Sequence, residues 1–381
     1  MFRYIPVVFI ILFLYSGLMK WINIGVDLTL LSLLSLIVLV ITLRKKKELL
    51  KSYSLIKTEI NTLIVFGILY SLTSVYTISA DYYLEKIVYL WIAIFSFLLP
   101  VIFLNEENKL TRFIKTFNLF SVIAMLVLTY LFITSKWYVF ITNQDDYENT
   151  PNYLAVASLL GVFIVFNIKR KKVKARILSI VALVFMFLLS GRGPIIGLGL
   201  VYLLYLLLDS KKIKNVLYVI ALVSVLYFSW KIFSSSDEVI NTSNRFASVF
   251  DDNPRYNQIL KAFNIIEENL LIGVGIGGYG MAADGVDEFW HPHNLILEIF
   301  SESGFFVTLL FLCLLFNIFI SNNLEVNYKK EKIIFILASA YLFIQAMKSG
   351  GIPDMRVTFF WLGMMTYAVK RYENEELSIL K

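Results

Sequence analysis

Asn294–Ile320 reads NLILEIFSESGFFVTLLFLCLLFNIFI: an almost unbroken apolar run holding two glutamates and no basic residue. About 20 such residues in a helix cross a hydrocarbon core of about 30 Å. The stretch therefore reads as a transmembrane helix, and the rest of the chain repeats the pattern. Apolar runs of similar character occupy residues 4–20, 24–43, 60–79, 87–104, 113–134 and 151–168, then 177–191, 194–208, 215–233, 333–347 and 357–369. Together they predict an all-α, polytopic membrane protein of about twelve spans. The composition agrees: of 381 residues 58% are hydrophobic and only 17% charged, where soluble domains carry about 25% charge. Residues 1–381 read as a single integral membrane domain, and an ordinary soluble domain is excluded.

The formal charge of +7 bears on topology rather than on partners. Lys and Arg come in short clusters between apolar runs, as in residues 44–58 and 169–176, and not as a stripe suited to nucleic acid. Placing these clusters on the cytoplasmic side puts both termini there as well. The first apolar run lacks a small-residue cleavage site and is read as a retained span. The other face then carries a small loop at 135–150 and one large extracytoplasmic loop at 234–292. The single cysteine, Cys313, sits in an apolar run, which leaves no disulfide framework and no thiol metal site. Within the large loop, PRYNQILKAFNIIEENLLIG (254–273) spaces Ile259, Leu260, Phe263, Ile266 and Leu270 as an amphipathic helix does. Such a helix would lie on the membrane surface or cap a cavity.

Three stretches carry chemistry. In SGRGPIIG (190–197), Arg192 follows an apolar run of only about 20 Å of helix, so its charge should lie below the surface. Pro194 suits the first turn of the next helix; the plainer reading is a turn whose Arg snorkels to lipid phosphate. GVGIGGYG (273–280) contains G-x-G-x-x-G twice, but it follows a helix-like segment in an outer loop, not a strand. A dinucleotide site needs strand, turn and helix, so a closely packed or flexible loop is the better reading. Finally, WHPHN (290–294) holds both histidines of the chain. Pro292 fits a first helical position, so the helix should begin beside His293. Asn294, Glu298 and Glu302 would then form one polar stripe. A helix N-terminus favours an anion and a neutral imidazole, the form that acts as a base. His291 reads as an interfacial residue, while His293 or Glu298 could serve as the base. The H-x-H spacing alone is a weak metal signature.

The order of these elements is SGRG between helices, then a large outer loop with Arg245 and Arg255, then GVGIGGYG, then His293-Asn294 and Gly304. With nine residues lying between Asn294 and Gly304, the set resembles the Wzy/WaaL group, the bacterial O-antigen polymerases and ligases and the related O-linked protein oligosaccharyltransferases. That resemblance implies a helical fold related to GT-C enzymes and a metal-independent, inverting glycosyl transfer at the outer membrane face, with no cofactor. The donor would be an oligosaccharide on undecaprenyl pyrophosphate. On this sequence, Arg192 and Arg255 match the arginines that hold the pyrophosphate, with Arg245 a further cation of the same loop. His293 matches the histidine that assists the acceptor hydroxyl, leaving Asn294, Gly275 and Gly304 as supporting positions.

The chemistry agrees. Breaking a sugar–pyrophosphate bond builds charge that guanidinium groups stabilise while remaining protonated. A composition rich in Lys, Ile and Asn favours a polymerase of capsular or exopolysaccharide repeats over a ligase, and a chain-length regulator is an expected partner. A flippase of the same lipid-linked sugar is the reading of another class, since intramembrane Arg also lines transport paths.

Overall fold

Apolar segments buried in lipid must satisfy their own amides, and a helix does so within one segment. Every described secondary element of this chain is helical. The computed structural model describes residues 5–16, 28–42, 52–104, 107–134, 153–168, 172–189, 192–208, 254–321 and 332–379. Among them are α1 (Ile5–Tyr15), α2 (Leu28–Thr42), α3 (Lys57–Leu72), α4 (Tyr82–Phe103), α5 (Glu107–Ile133), α6 (Tyr153–Asn167) and α7 (Val173–Leu188). After these come α8 (Arg192–Leu208), α9 (Pro254–Glu268), α10 (Tyr279–Asp284), α11 (Leu295–Phe316), α12 (Lys332–Ser349) and α13 (Arg356–Ile379).

Among the described residues, four helical stretches are long and apolar enough to cross a membrane: Lys57–Val75, Tyr82–Phe103, Asn108–Ile133 and Leu295–Phe319. Shorter apolar helices include Ile5–Tyr15, Ala155–Asn167 and Ile333–Ser349. The all-α membrane architecture read from hydropathy is thus present, and a helix coincides with every described apolar run. The run at 215–233, the loop at 135–150 and loop residues 234–253 lie outside the described residues. Some serines inside these helices return their hydroxyls to the helix itself, as Ser35 does to Leu31 O, which satisfies the hydroxyl without a partner helix.

The chain forms two units. One comprises Met1–Ser16, Ile24–Asn118 and Arg255–Lys381; the other comprises Gly17–Asn23 and Leu119–Pro254. In the second unit α6 packs against α7 and α8 through buried residues such as Phe163, Met186 and Val201.

The first unit is built on the packing of α4 against α13. The two backbones touch where a Cβ on Gly363 would stand 2.1 Å from Phe97 O, the close approach that small residues permit between membrane helices. Ser96 Oγ ties the same pair by donating to Arg356 O at 2.6 Å. Below it, Phe113, Phe117 and Phe360 surround the fully buried Trp361.

α11 departs from the expected single span over 294–320. Gly304 has φ 72° and ψ −171°, so an outer piece ending at Ser303 meets an inner piece beginning at Phe305 at a kink. The carbonyls released by this break are taken up by the glycine loop. Val274 N donates to Ser301 O at 3.0 Å and Gly275 N to Glu302 O at 2.8 Å, while Phe305 N donates to Leu270 O at 2.9 Å. A broken helix is tolerated at membrane depth only when protein groups re-satisfy it in this way. The fit leaves no room for side chains: a Cβ on Gly304 would lie 2.3 Å from Leu271 O, and one on Gly273 would lie 2.4 Å from the Glu302 backbone.

Candidate active site

Asn294 fixes where the outer piece of α11 begins. In extended conformation, its side chain accepts hydrogen bonds from Ile296 N and Leu297 N, both at 3.1 Å, and its amide donates to Met347 O at 3.0 Å. The helix therefore starts at Leu295 and not at Pro292 as its sequence suggests. A cap that satisfies two free amides outweighs the preference of proline for a first turn. His293 precedes the cap with φ 56°, the one positive φ outside glycine among the described residues. Left-handed backbone at a non-glycine residue is strained and clusters at functional positions.

Glu298 and Glu302 project from one face of this outer piece, as their i, i+4 spacing dictates, and both are completely buried. They close on Lys86 of α4, itself 0% exposed: its Nζ lies 2.5 Å from Glu298 Oε1 and 2.7 Å from Glu302 Oε1. The remaining carboxylate oxygens are also held. Tyr70 of α3 donates to Glu302 Oε2 at 2.6 Å, and Ile352 N donates to Glu298 Oε2 at 3.0 Å. The polar stripe is thus the acidic half of a buried ion cluster that locks α11 to α3, α4 and the turn after α12. The approach of that turn is tight, since a Cβ on Gly351 would lie 2.9 Å from His291 Cγ and 3.3 Å from Glu298 Oε2. Lys86 and Tyr70 escaped the sequence reading. A lone lysine in an apolar helix is the available signal, but the apolar run at 87–104 begins one residue after it.

A chain of rings leads from this cluster to the histidines. Tyr82 stands edge-on to Phe289 with centroids 6.4 Å apart, Phe289 lies 4.9 Å from His291, and His291 lies 4.6 Å from His293. Burial, reinforced by the positive charge of Lys86, pushes His291 down to about 4 despite a hydrogen bond with the Ser349 backbone. Burial, then His291 and Arg255, push His293 down to about 3. Both imidazoles are consequently neutral near pH 7, and each retains a lone pair. Two buried polar atoms of this set, Tyr82 Oη and His291 Nε2, have no hydrogen-bond partner among the described residues.

Arg255, half-buried in the first turn of α9, lies near enough for its charge to act on both histidines. Its helix is anchored by residues the sequence reading did not single out. Asp284 receives Gln258 Nε2 at 3.0 Å and Trp290 Nε1 at 2.7 Å, and pairs with Lys261. Burial would raise the Asp284 carboxyl, but these donors hold it below its ordinary value. Tyr279 Oη adds a bond to Gln258 Oε1 at 2.7 Å. Asp287 does the same for α4: its carboxylate accepts from Ser79 Oγ, Ala80 N and Asp81 N at 2.5–2.8 Å, at the helix end where negative charge is favoured.

The structure thus gathers His291, His293, Asn294, Glu298 and Arg255 into one neighbourhood. Gly275 and Gly304 act through backbone: Gly275 has φ 87°, and a Cβ there would lie 2.3 Å from Thr77 Cα, which makes GVGIGGYG a closely packed loop. Pro194 falls in the first turn of α8, as expected, and Arg192 opens that helix in the second unit. The Arg192 side chain and the whole of Arg245 lie outside the described residues.

A histidine at a helix start, an arginine near enough to act on it and a broken helix braced by a glycine loop agree with the motif order SGRG, Arg255, GVGIGGYG and His293-Asn294 to Gly304. Residues 177–312 match the O-antigen ligase family. The matched segment runs from α7 through the inner piece of α11 and includes all four motifs, bearing out the resemblance drawn from them. Members of the O-antigen ligase family are glycosyl-transferring membrane enzymes that act on lipid-linked oligosaccharides. Comparison with curated proteins gave no match.

Proposed function

We propose that this chain polymerises undecaprenyl-pyrophosphate-linked oligosaccharide repeats at the outer face of the cytoplasmic membrane, by inverting glycosyl transfer that needs no metal. The observation that carries the reading is His293: a neutral imidazole held in left-handed backbone at the start of a half-helix, within reach of the Arg255 charge. In the proposed step the acceptor hydroxyl oxygen attacks the anomeric carbon and its proton passes to His293. The bond from that carbon to the pyrophosphate oxygen breaks, and lipid pyrophosphate leaves. Arg255, with Arg192 and Arg245, stabilises the charge on the departing phosphate. Between the two candidate bases, burial favours His293, because both Glu298 oxygens are engaged, by Lys86 and by Ile352 N. A base must reach the proton it removes. Glu298 then serves as a positioning residue.

The test is chain growth by the purified protein in liposomes, supplied with cognate lipid-linked repeats and a chelator. A product ladder is expected. Transbilayer movement of the donor without any ladder would overturn the reading in favour of a flippase. The description of the matched family favours a second reading, ligation. It would give a single transfer of a preformed chain to a different lipid acceptor, again with no ladder.

A further inference from the structure

Helix α9 has three faces, where an amphipathic helix of a soluble domain has two. Ala262, Ile265 and Ile266 are buried against the protein. Tyr256, Leu260 and Phe263 follow one another at four and three residues, so they form one stripe, and they are 61, 43 and 48% exposed. Beside that stripe, Asn257, Lys261, Asn264 and Glu268 form a polar one, of which Asn257, Asn264 and Glu268 are exposed. A helix with one side in protein needs this division when a second side meets hydrocarbon and a third meets water.

The apolar stripe does not end with the helix. Leu270, Leu271 and Ile272 continue it and are all exposed. Their backbone lies directly on the kink of α11, where Phe305 N donates to Leu270 O and Gly304 abuts Leu271 O. Tyr76, just beyond the 3-10 turn that follows α3, donates its hydroxyl to Ile272 O at 2.5 Å. The exposed apolar residues that flank these contacts, Phe305 and Phe306 on α11, Leu72 at the end of α3 and Val75 in the 3-10 turn that follows it, belong to helical stretches with the length and hydropathy to cross a membrane. The stripe is therefore continuous with a lipid-facing surface.

We propose that α9 is an interfacial helix, its Tyr256–Leu260–Phe263 stripe immersed among phospholipid acyl chains in the leaflet at the N-terminal side of α11. The polar stripe faces water, and the exposed Glu267 reaches into the headgroup layer. The arrangement holds Arg255 at the depth of lipid phosphates. The inference rests on the membrane architecture and stands apart from the reaction.

Spin labels at single cysteines test it, in a Cys313→Ser background reconstituted into phosphatidylethanolamine–phosphatidylglycerol liposomes. Leu260→Cys and Phe263→Cys should collide several-fold more often with oxygen, which partitions into lipid, than with a water-soluble nickel chelate. Asn257→Cys and Asn264→Cys should show the reverse. Equal nickel access at all four positions would overturn the proposal, because the stripe would then be in water. Protection of the stripe from both reagents would overturn it too, because protein would then cover it. The unaltered chain supplies a second readout: a lipid with a photoactivatable acyl chain should label residues 254–268. Labelling of 305–316 without any of 254–268 would refute the proposal.

Discussion

Replacing Lys86 with methionine removes one charge from the centre of the buried cluster while keeping the length and apolar stem of the side chain. At an effective dielectric of about 20, a pair of unit charges some 4 Å apart interacts by about 4 kcal/mol, and Lys86 faces two such partners within 2.7 Å. The variant strands two carboxylates that keep the Tyr70 hydroxyl and the Ile352 amide as donors. Breaking a buried pair from one side costs about 3–5 kcal/mol, and the expected loss lies in that range. Lys86→Met combined with Glu298→Gln and Glu302→Gln leaves no charge unpaired and should recover most of the loss. The assay is the unfolding midpoint of wild type, single and triple variants in one detergent at one scan rate, because such unfolding is seldom reversible. Wild-type stability in Lys86→Met, or a triple variant no better than the single one, would refute the ion-cluster account.

Three further outcomes follow from the same geometry. His293→Ala should abolish chain growth with expression intact, whereas His291→Ala should reduce it only mildly; full activity of His293→Ala in the ladder assay would remove it from the proton transfer. Because folding depresses the His293 pKa to about 3, the base form persists above that value and is lost only as pH falls through it. The acid side of a kcat/KM profile, which reports the free enzyme, should therefore be flat from pH 8 to 5, without a break near 6.5. Gly304→Ala combines φ 72° with a Cβ 2.3 Å from Leu271 O. It should lower stability by about 2–4 kcal/mol, seen as a fall in the unfolding midpoint larger than that of Gly285→Ala, whose Cβ would meet nothing within 4 Å.

Hydropathy made the helices legible because lipid imposes one rule on every spanning segment. Within α11 the same rule misled at two points. Pro292 carries a strong local preference, but the side chain of Asn294 competes for the same amides and starts the helix later. Gly304 reads as an ordinary interruption of an apolar run; only the distant Leu270–Gly275 segment makes a break there sustainable. The Glu298–Glu302 stripe was readable from its spacing, and the role of α9 as an amphipathic helix from its period. What the stripe grips was not readable, since Lys86 and Tyr70 lie more than 200 residues away along the chain. Asp284 and Asp287 stayed hidden for the same reason: each looks like a solvated loop acid until its partners on α9 and before α4 converge on it.

The break at Gly304 also frees the two pieces of α11 from a common helical register. In an unbroken helix, adding or removing one residue turns everything beyond it by about 100°. Here the rotation of the outer piece is set by Asn294 at one end and by two amides of the glycine loop at the other. The inner piece can therefore change in length, or rotate its lipid-facing residues, without swinging Glu298 and Glu302 away from Lys86. The end that carries Asn294 and the two glutamates is insulated in this way from whatever bilayer thickness the other end must match.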